Sequence, residues 1–515
     1  MPCFDALRQP WIPAEGMDGT TCEYGILEVI RQAPRLRSLS DPSPVFLYGM
    51  YRLLIAFLSD ALRPQTIDEL LDIFEAGYFP LDRIEDYISQ CEAEGPCFDL
   101  FDEQKPFLQS AYDQEIDKQV KTVAIMVLDL PTGNNPVHFD HRHETIHALC
   151  PEICARALCS INLFCPADAQ NPSGINKAPP WYVLMRGNNL FETLLFNIWI
   201  PILEIPFNNP PIAWRNTTSV IPGKEITQVS YLYGLTWQAR RICLIPSDEG
   251  ICTYSGRSGP VIVRSAYFQK GWKFQGHALW IDPYTPRLQS EKGLNSVKPR
   301  ESRATWRDLA PLALSGANLI SNTGERAFRR PEVVNQFIEE WTPELRSNKK
   351  LPSSLQIEAF GLATNKAKFI SWIHDILTLP VDIAASPAKS DLLTAEVDIV
   401  EQVNREIGRR IKAAGVANSI KQSVESAFFD QASSLLYGVL YSDLLQVKED
   451  HEGWRTEAIL SWRRQLKIMS RRLFDDALEK AGEKSVDLER RSKERNEFIK
   501  QLNRILAVKE VKTDG

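Results

Sequence analysis

The chain lacks the segments that would take it into or across a membrane. Its first residues show no basic start followed by an apolar export core. The longest apolar run, Val45 to Leu58, is interrupted by Arg52 and is too short to span a bilayer, so it reads as a buried helix. Cysteine is sparse. Ten in 515 residues is not the density of a disulfide scaffold, and reduced thiols in the cytoplasm are expected. An excess of positive charge is missing as well. A formal net charge of −7 argues against a stand-alone nucleic-acid binder, yet it admits a subunit whose partners carry the basic footprint. Several catalytic signatures are absent. There is no Gly-x-Ser-x-Gly elbow, no papain-like Cys context, no Walker loop and no dinucleotide fingerprint. Internal repeats and low-complexity tracts are absent too.

What remains is a large, ordinary globular composition. Hydrophobic residues make up 44% and charged residues 24%. A chain this long is expected to form two or three domains. Twelve Trp and 33 Pro point to a loop-rich body rather than a simple bundle. Helical patterns run over Pro44 to Leu62, Thr66 to Gly77 and Pro151 to Phe164. Trp181 to Met185, Arg241 to Ile245 and Val261 to Val263 have the composition of strands bounded by Pro or Gly. Near Pro380 the character changes. The segment from Pro380 to Pro387 reads as a linker, because two prolines and small residues stop a helix and limit contacts. Beyond it Leu393, Val397, Val400, Ile407 and Ile411 recur at helical spacing, as do Ile459, Trp462, Leu466, Met469 and Leu473. Breaks near Gly415, Gly453 and Gly482 divide the region into four amphipathic helices, which implies an antiparallel bundle. The expected architecture is α+β: a mixed N-terminal body with long loops over residues 1–379, and a four-helix bundle over 388–510. The bundle carries basic faces, Arg409, Arg410 and Lys412 on one helix and Arg463, Arg464, Lys467, Arg471 and Arg472 on another. They read either as solvated surface or as contacts for phosphate or an acidic partner.

Four of the seven histidines lie between His138 and His147, with Cys150 and Cys154 close behind. Three readings compete for this stretch: a metal site, a catalytic site, or a polar loop that reads a ligand. His147, Cys150 and Cys154 would share a helical face if a helix began that early, with His143 as a fourth ligand. Against this, Cys154, Cys159 and Cys165 sit in an apolar stretch and read as small packed hydrophobes. His143, Glu144 and His147 have the spacing of zinc metalloproteases, whose chemistry needs both histidines on one helix with the Glu as base. Pro151 follows within four residues and would make that helix very short. Cys243 and Cys252 offer two thiols without a second pair and read as a plain hairpin. A further constellation, Gly361 to Lys368, joins the strand-like Gln356 to Phe360 to the helix-like Phe369 to Leu377. Its small residues allow close backbone approach to a ligand, and Asn365 and Lys366 supply donors for base edges and phosphates. The plainer reading is a solvated strand-to-helix turn.

Taken in order, these segments resemble the CasA family, the large subunit of the type I-E CRISPR Cascade surveillance complex. The resemblance is carried by Pro10-Trp11-Ile12-Pro13, the Pro44 to Leu58 helix with Arg52, Leu53 and Leu54, Phe98-x-Leu100-Phe101 leading to Pro106–Gln109, and Phe139-Asp140-His141. Ser173-Gly174-Ile175, Leu235 to Arg240, Trp280-x-Asp282-Pro283 and the C-terminal helices continue it. It implies a non-enzymatic DNA-reading subunit, with no cofactor expected; some members bind zinc through a cysteine cluster, of which only Cys243 and Cys252 could remain here, so no metal is expected there. Such a subunit recognises a short protospacer-adjacent motif in duplex DNA, opens the duplex so that guide RNA pairs with the target strand, and helps recruit a helicase-nuclease. By resemblance the segment Gly361 to Lys368 falls where the family has its wedge hairpin, with Asn365, Lys366 and Ala367 in the wedge, Lys270 or Lys273 lies near a motif-contacting lysine, and Phe139, Asp140 and His141 contact guide RNA and nearby DNA. The implied partners are the other Cascade subunits, guide RNA, double-stranded target DNA and the helicase-nuclease, with no membrane. Two departures bear on the motif read. Some members have Gln where this chain has Lys366, and the family's Gly-rich stretch is here Pro166 to Asn171, without glycine. The rival reading is a metal-dependent hydrolase or nuclease using His143, Glu144 and His147.

Overall fold

The computed structural model describes all residues except 1, 96, 129, 131–146, 166–173, 177–178, 202–205, 275–279, 291–292, 302, 315–317, 322–323, 349, 351, 366–367, 482–484 and 509–515. The N-terminal body is built around one helix, Pro44–Leu62, which is apolar on every side and therefore lies inside. Pro44 fits the first turn, where its missing N–H costs nothing. By length and composition this helix could cross a membrane, but 94% of its apolar window is buried inside the protein. It packs on Pro151–Phe164, Leu81–Ala93 and Tyr231–Leu235. Next along the chain, Ile67–Ala76 begins with Thr66 accepting from Glu69 N and ends at Gly77, with φ of 78°. The expected range of Thr66 to Gly77 is therefore this helix with both of its caps.

The strands do not form one large sheet. They make several small ones, two of which matter for the site. In one, Ile262–Lys270 lies between Val120–Thr122 and Arg240–Ser247. In the other, Ser354–Asn365 lies between Tyr182–Arg186 and Lys368–Pro380. This second sheet corrects two expectations. Phe369 to Leu377 is strand, not helix, and the segment before it is one arm of a long antiparallel hairpin rather than a strand-to-helix turn. The apolar residues Phe369, Trp372, Ile373, Ile376 and Leu377 mimic helical spacing. All but Leu377 are also β-branched or aromatic, and they pair residue by residue with a strand that is buried on both faces. Strand pairing outweighs the spacing.

The C-terminal region contains four long helical segments, Pro387–Ala413, Asn418–Leu435 with its continuation to Gln446, Trp454–Lys480 and Ser485–Ile505. The first packs on each of the other three, and the third packs on the second and fourth. Leu393, Val397, Val400, Ile407, Ile411, Ile459, Trp462, Leu466, Met469 and Leu473 are all buried, as their spacing implies. The basic faces are partly spent on structure. Arg409 and Arg410 bind Glu406, and Arg463 binds the fully buried Glu396, which leaves Lys412, Arg464 and Arg472 as exposed cations. The segment from Pro380 to Pro387 is not a loose linker. Val381–Ala384 forms a short helix whose Val381, Ile383 and Ala384 are buried, because three apolar side chains there outweigh the flanking prolines.

A charged junction ties the two regions. Glu401 accepts from Arg303 Nη1 at 2.9 Å and from Arg307 Nε at 2.7 Å. Arg307 also lies over the Phe429 ring, 3.5 Å from its centroid. Burial opposes ionisation of Glu401, but Arg307 and Arg303 outweigh it and hold the carboxyl below its usual range. Glu401→Ala should therefore cost about 2 kcal/mol, since charged hydrogen bonds are lost and two guanidinium groups are left half-buried. The expected readout is faster proteolysis across this junction and a lower denaturant midpoint. Unchanged values in both would show that the junction carries no stability.

Candidate nucleic-acid interface

The long hairpin is the most distinctive feature placed by the chain. Its two strands pair without interruption from Ser354↔Pro380 to Asn365↔Lys368, with one shift at Ala363 and Thr364. Lys366 and Ala367 connect the arms and lie outside the described residues, as do the side chains of Asn365, Lys368 and Phe369. The arms are held at the root by the body. Ser354–Asn365 also pairs with Tyr182–Arg186. Phe360 packs on Tyr48 of the core helix at 5.3 Å between ring centroids, and Tyr48 stacks on Tyr182 at 4.5 Å. Across the arms, His374 Nε2 lies 2.7 Å from Glu358 Oε1 and its ring stacks on Phe360 at 4.7 Å. Sequence reasoning missed this root. Its residues look like ordinary core positions until the register brings them together.

The small residues of this segment do not leave room for a ligand. A Cβ at Gly361 would sit 2.8 Å from the Trp181 ring and 2.9 Å from Pro299. Leu362 and Ala363 are buried. The close approach at Gly361 serves packing.

The two candidate lysines differ. Lys270 ends its strand exposed, with its side chain lying across Gly223. Lys273 is exposed too, but its ammonium sits 2.5 Å from Glu225 Oε1. Phe139, Asp140 and His141 fall outside the described residues, and so do His143, Glu144 and the Pro166 to Asn171 stretch.

The structure reaches the end of the histidine-rich stretch at His147. Here the helical-face expectation fails. The helix starts at Pro151 with Cys150 as its cap, so His147 lies in extended chain and does not share a helical face with Cys150 and Cys154. Residues 148 and 149 are instead drawn to the Cys252 turn and to Val263 by backbone hydrogen bonds. The thiol neighbour of Cys252 is Cys150, not Cys243. Ser255 Oγ is 3.8 Å from Cys150 Sγ, and Ser255 N donates to Cys252 Sγ at 3.4 Å. The hydrogen bond from Cys150 pushes the Cys252 thiol down. Among the described residues, no three metal-ligating side chains gather at one point. Two thiols and a hydroxyl do not supply the four ligands of a structural zinc site.

Several segments that carry the family resemblance meet in the framework. Arg52 pairs with Asp282 and donates to Leu235 O at 3.2 Å. Arg156 donates to Trp11 O at 2.8 Å, and Gln238 donates to Gln109 O at 3.4 Å. Burial alone would raise the Asp282 carboxyl, but Arg52 and Asn176 hold it below its usual range.

Chemically, the described residues offer a paired hairpin and, in a separate sheet, an exposed Lys270 suited to phosphate contact. Comparison with known proteins gives the family and the fold. The family model described as CRISPR-associated protein Cse1 matches residues 5–473. A Thermus thermophilus protein, CRISPR-associated protein CasA/Cse1, is 25% identical over 409 residues, which is 76% of this chain and 73% of that protein. The structure of Thermus thermophilus CasA (Cse1) superposes with a TM-score of 0.73 at 21% identity, covering 98% of this chain and 100% of the other. Cse1 from Acidimicrobium ferrooxidans gives 0.75 at 20% identity, covering 98% and 99%. A chain of a CRISPR RNA-guided surveillance complex gives 0.71 at 17% identity, covering 98% and 100%.

Proposed function

The chain belongs to the CRISPR-associated protein Cse1 family, and from that premise we propose that it is the large, non-catalytic subunit of a type I-E Cascade surveillance complex. In this reading it scans duplex DNA for a short protospacer-adjacent motif and opens the duplex beside it, so that guide RNA can pair with the target strand. Its partners are the other Cascade subunits, guide RNA, double-stranded target DNA and a helicase-nuclease, met in the cytoplasm. Support for the assembly comes from the shared fold with a chain of an RNA-guided surveillance complex.

The observation that carries the DNA-opening role is the hairpin. Proteins that kink or part a duplex insert a wedge and must brace it against the cost of unstacking, a few kcal/mol per step. A loop would bend away under that load. The arms from Ser354 to Pro380 are paired throughout and rooted in the core helix through Phe360, Tyr48 and Tyr182. Asn365, Lys366 and Ala367 are then the wedge, with Lys270 as a motif-side contact and Phe139, Asp140 and His141 facing guide RNA and nearby DNA. Residues 1–379 would form the DNA-reading body. Helices in 388–510 would pack on other subunits.

The test is reconstitution. A Cascade complex assembled without this subunit should bind a duplex target weakly, and adding the chain should restore tight binding that depends on the motif. If the chain neither joins an RNA-bearing complex nor improves duplex binding, the reading is wrong.

A further inference from the structure

Lys270 and Lys273 are separated by a corner, Gly271-Trp272, that packs against a second turn, residues 221–224. Gly223 N donates to Gly271 O at 2.9 Å, and Lys273 N donates to Lys224 O at 2.9 Å. Just beyond, Glu225–Ile226 runs parallel to Lys273–Phe274. The two turns are therefore fastened backbone to backbone. Glycine is required on both sides. A Cβ at Gly271 would lie 2.3 Å from Gln238 O, where only backbone could yield. Gly223 has φ of +74°, and its missing side chain leaves the space in which Lys270 Cε and Nζ lie, 3.0 and 3.3 Å from where a Cβ would be.

This junction brings a third cation to the place. Lys224 is exposed, and its ammonium lies 5.9 Å from the centroid of the buried Trp272 ring. The lysines are electrostatically unequal. Lys273 is already neutralised by Glu225. Among the described residues, neither Lys224 nor Lys270 has a carboxylate at ion-pair distance. Two uncompensated ammonium groups on adjoining, glycine-locked turns are suited to neighbouring phosphates of one backbone.

We propose that Lys224 and Lys270 form a two-lysine clamp for the phosphodiester backbone of duplex DNA, and that Lys273 is not part of it. The proposal rests on the duplex-reading role given above and adds Lys224 to it. A phosphate contact carries no base information, so Lys224 acts equally on duplexes with and without the motif. The clamp would hold the duplex in register while the motif is read.

The test uses the assembled complex and short duplexes over a salt series. Each phosphate contact contributes about 0.9 to the slope of log K against log salt concentration. Lys224→Ala and Lys270→Ala should each reduce the slope by about that amount, and the double variant by about twice as much. Lys273→Ala should leave it unchanged, and Lys224→Arg should retain it. The loss from Lys224→Ala should be the same on duplexes with and without the motif. A wild-type slope for Lys224→Ala beside a reduced slope for Lys270→Ala would overturn the clamp and leave the duplex-reading role standing. A reduced slope for Lys273→Ala, or a Lys224→Ala loss confined to motif-bearing duplexes, would also overturn it. If the wild-type chain adds nothing to duplex binding, it is the duplex-reading role itself that fails.

Discussion

An Arg52→Ala variant is expected to lose about 3–5 kcal/mol of stability, the penalty for leaving half of a buried ion pair behind. Arg52 and Asp282 are both almost wholly buried, with side-chain exposures of 2% and 0%. They meet in a bidentate pair, each of its two hydrogen bonds 2.9 Å long. Arg52 also lies over the Tyr284 ring, 4.8 Å from its centroid, and Asp282 accepts from Asn176 at 2.8 Å. Alanine would remove the cation and leave the carboxylate among Tyr48, Tyr182 and Tyr284 without its main counter-charge.

The pH dependence gives a second readout. Asp282 is held below its usual pKa in the folded chain. It therefore contributes stability that is present above the unfolded value, about 3.9, and is lost as pH falls through the folded value. Without Arg52 the sign reverses. Burial then favours the protonated acid, so the variant's deficit is largest at neutral pH and shrinks on acidification. Denaturant midpoints followed by Trp fluorescence should thus separate at pH 7 and converge toward pH 4. A neutral pair, Arg52→Met with Asp282→Asn, should recover most of the loss. A wild-type midpoint for Arg52→Ala at pH 7 would show that the pair carries no stability.

That pair also shows how far sequence reasoning reached. Arg52 was visible as the residue that interrupts an apolar run, and Asp282 as part of Trp280-x-Asp282-Pro283. Nothing in the linear order shows that they bind each other. The three N-terminal helices expected at Pro44 to Leu62, Thr66 to Gly77 and Pro151 to Phe164 were readable to within their caps, because apolar spacing and Pro, Thr or Gly at the ends act locally. The hairpin was half readable. Ser354–Asn365 has a strand composition, but its partner carries apolar residues at helical spacing, and only the pairing decides. The region from Pro380 to Pro387 was misread, since its prolines are local while the burial of Val381 and Ile383 comes from distant packing. The shared helical face of His147, Cys150 and Cys154 failed for a similar reason. It needed a helix to begin before His147, and Pro151 sets the start. Lys224 had a signal, a Pro-Gly turn ending in a cation, but its neighbour Lys270 is supplied by the fold.

Lys366→Ala should weaken binding to a closed duplex target by about tenfold or more, while binding to a target already unpaired beside the motif changes little. The comparison separates two roles that a lysine at the tip could have. Lost phosphate attraction would weaken both substrates alike, because both present the same backbone charge. Lost wedge action would appear only where strands must be parted, and each base step unstacked costs a few kcal/mol. At about 1.4 kcal/mol per tenfold, even partial loss of that work is measurable. The arms are paired up to Asn365↔Lys368, so the defect should be in opening rather than in docking. Equilibrium binding on the two substrates, with a fluorescent base beside the motif to report unstacking, gives both quantities. Equal loss on the two substrates, with unstacking intact, would make Lys366 a plain phosphate contact and remove it from strand separation.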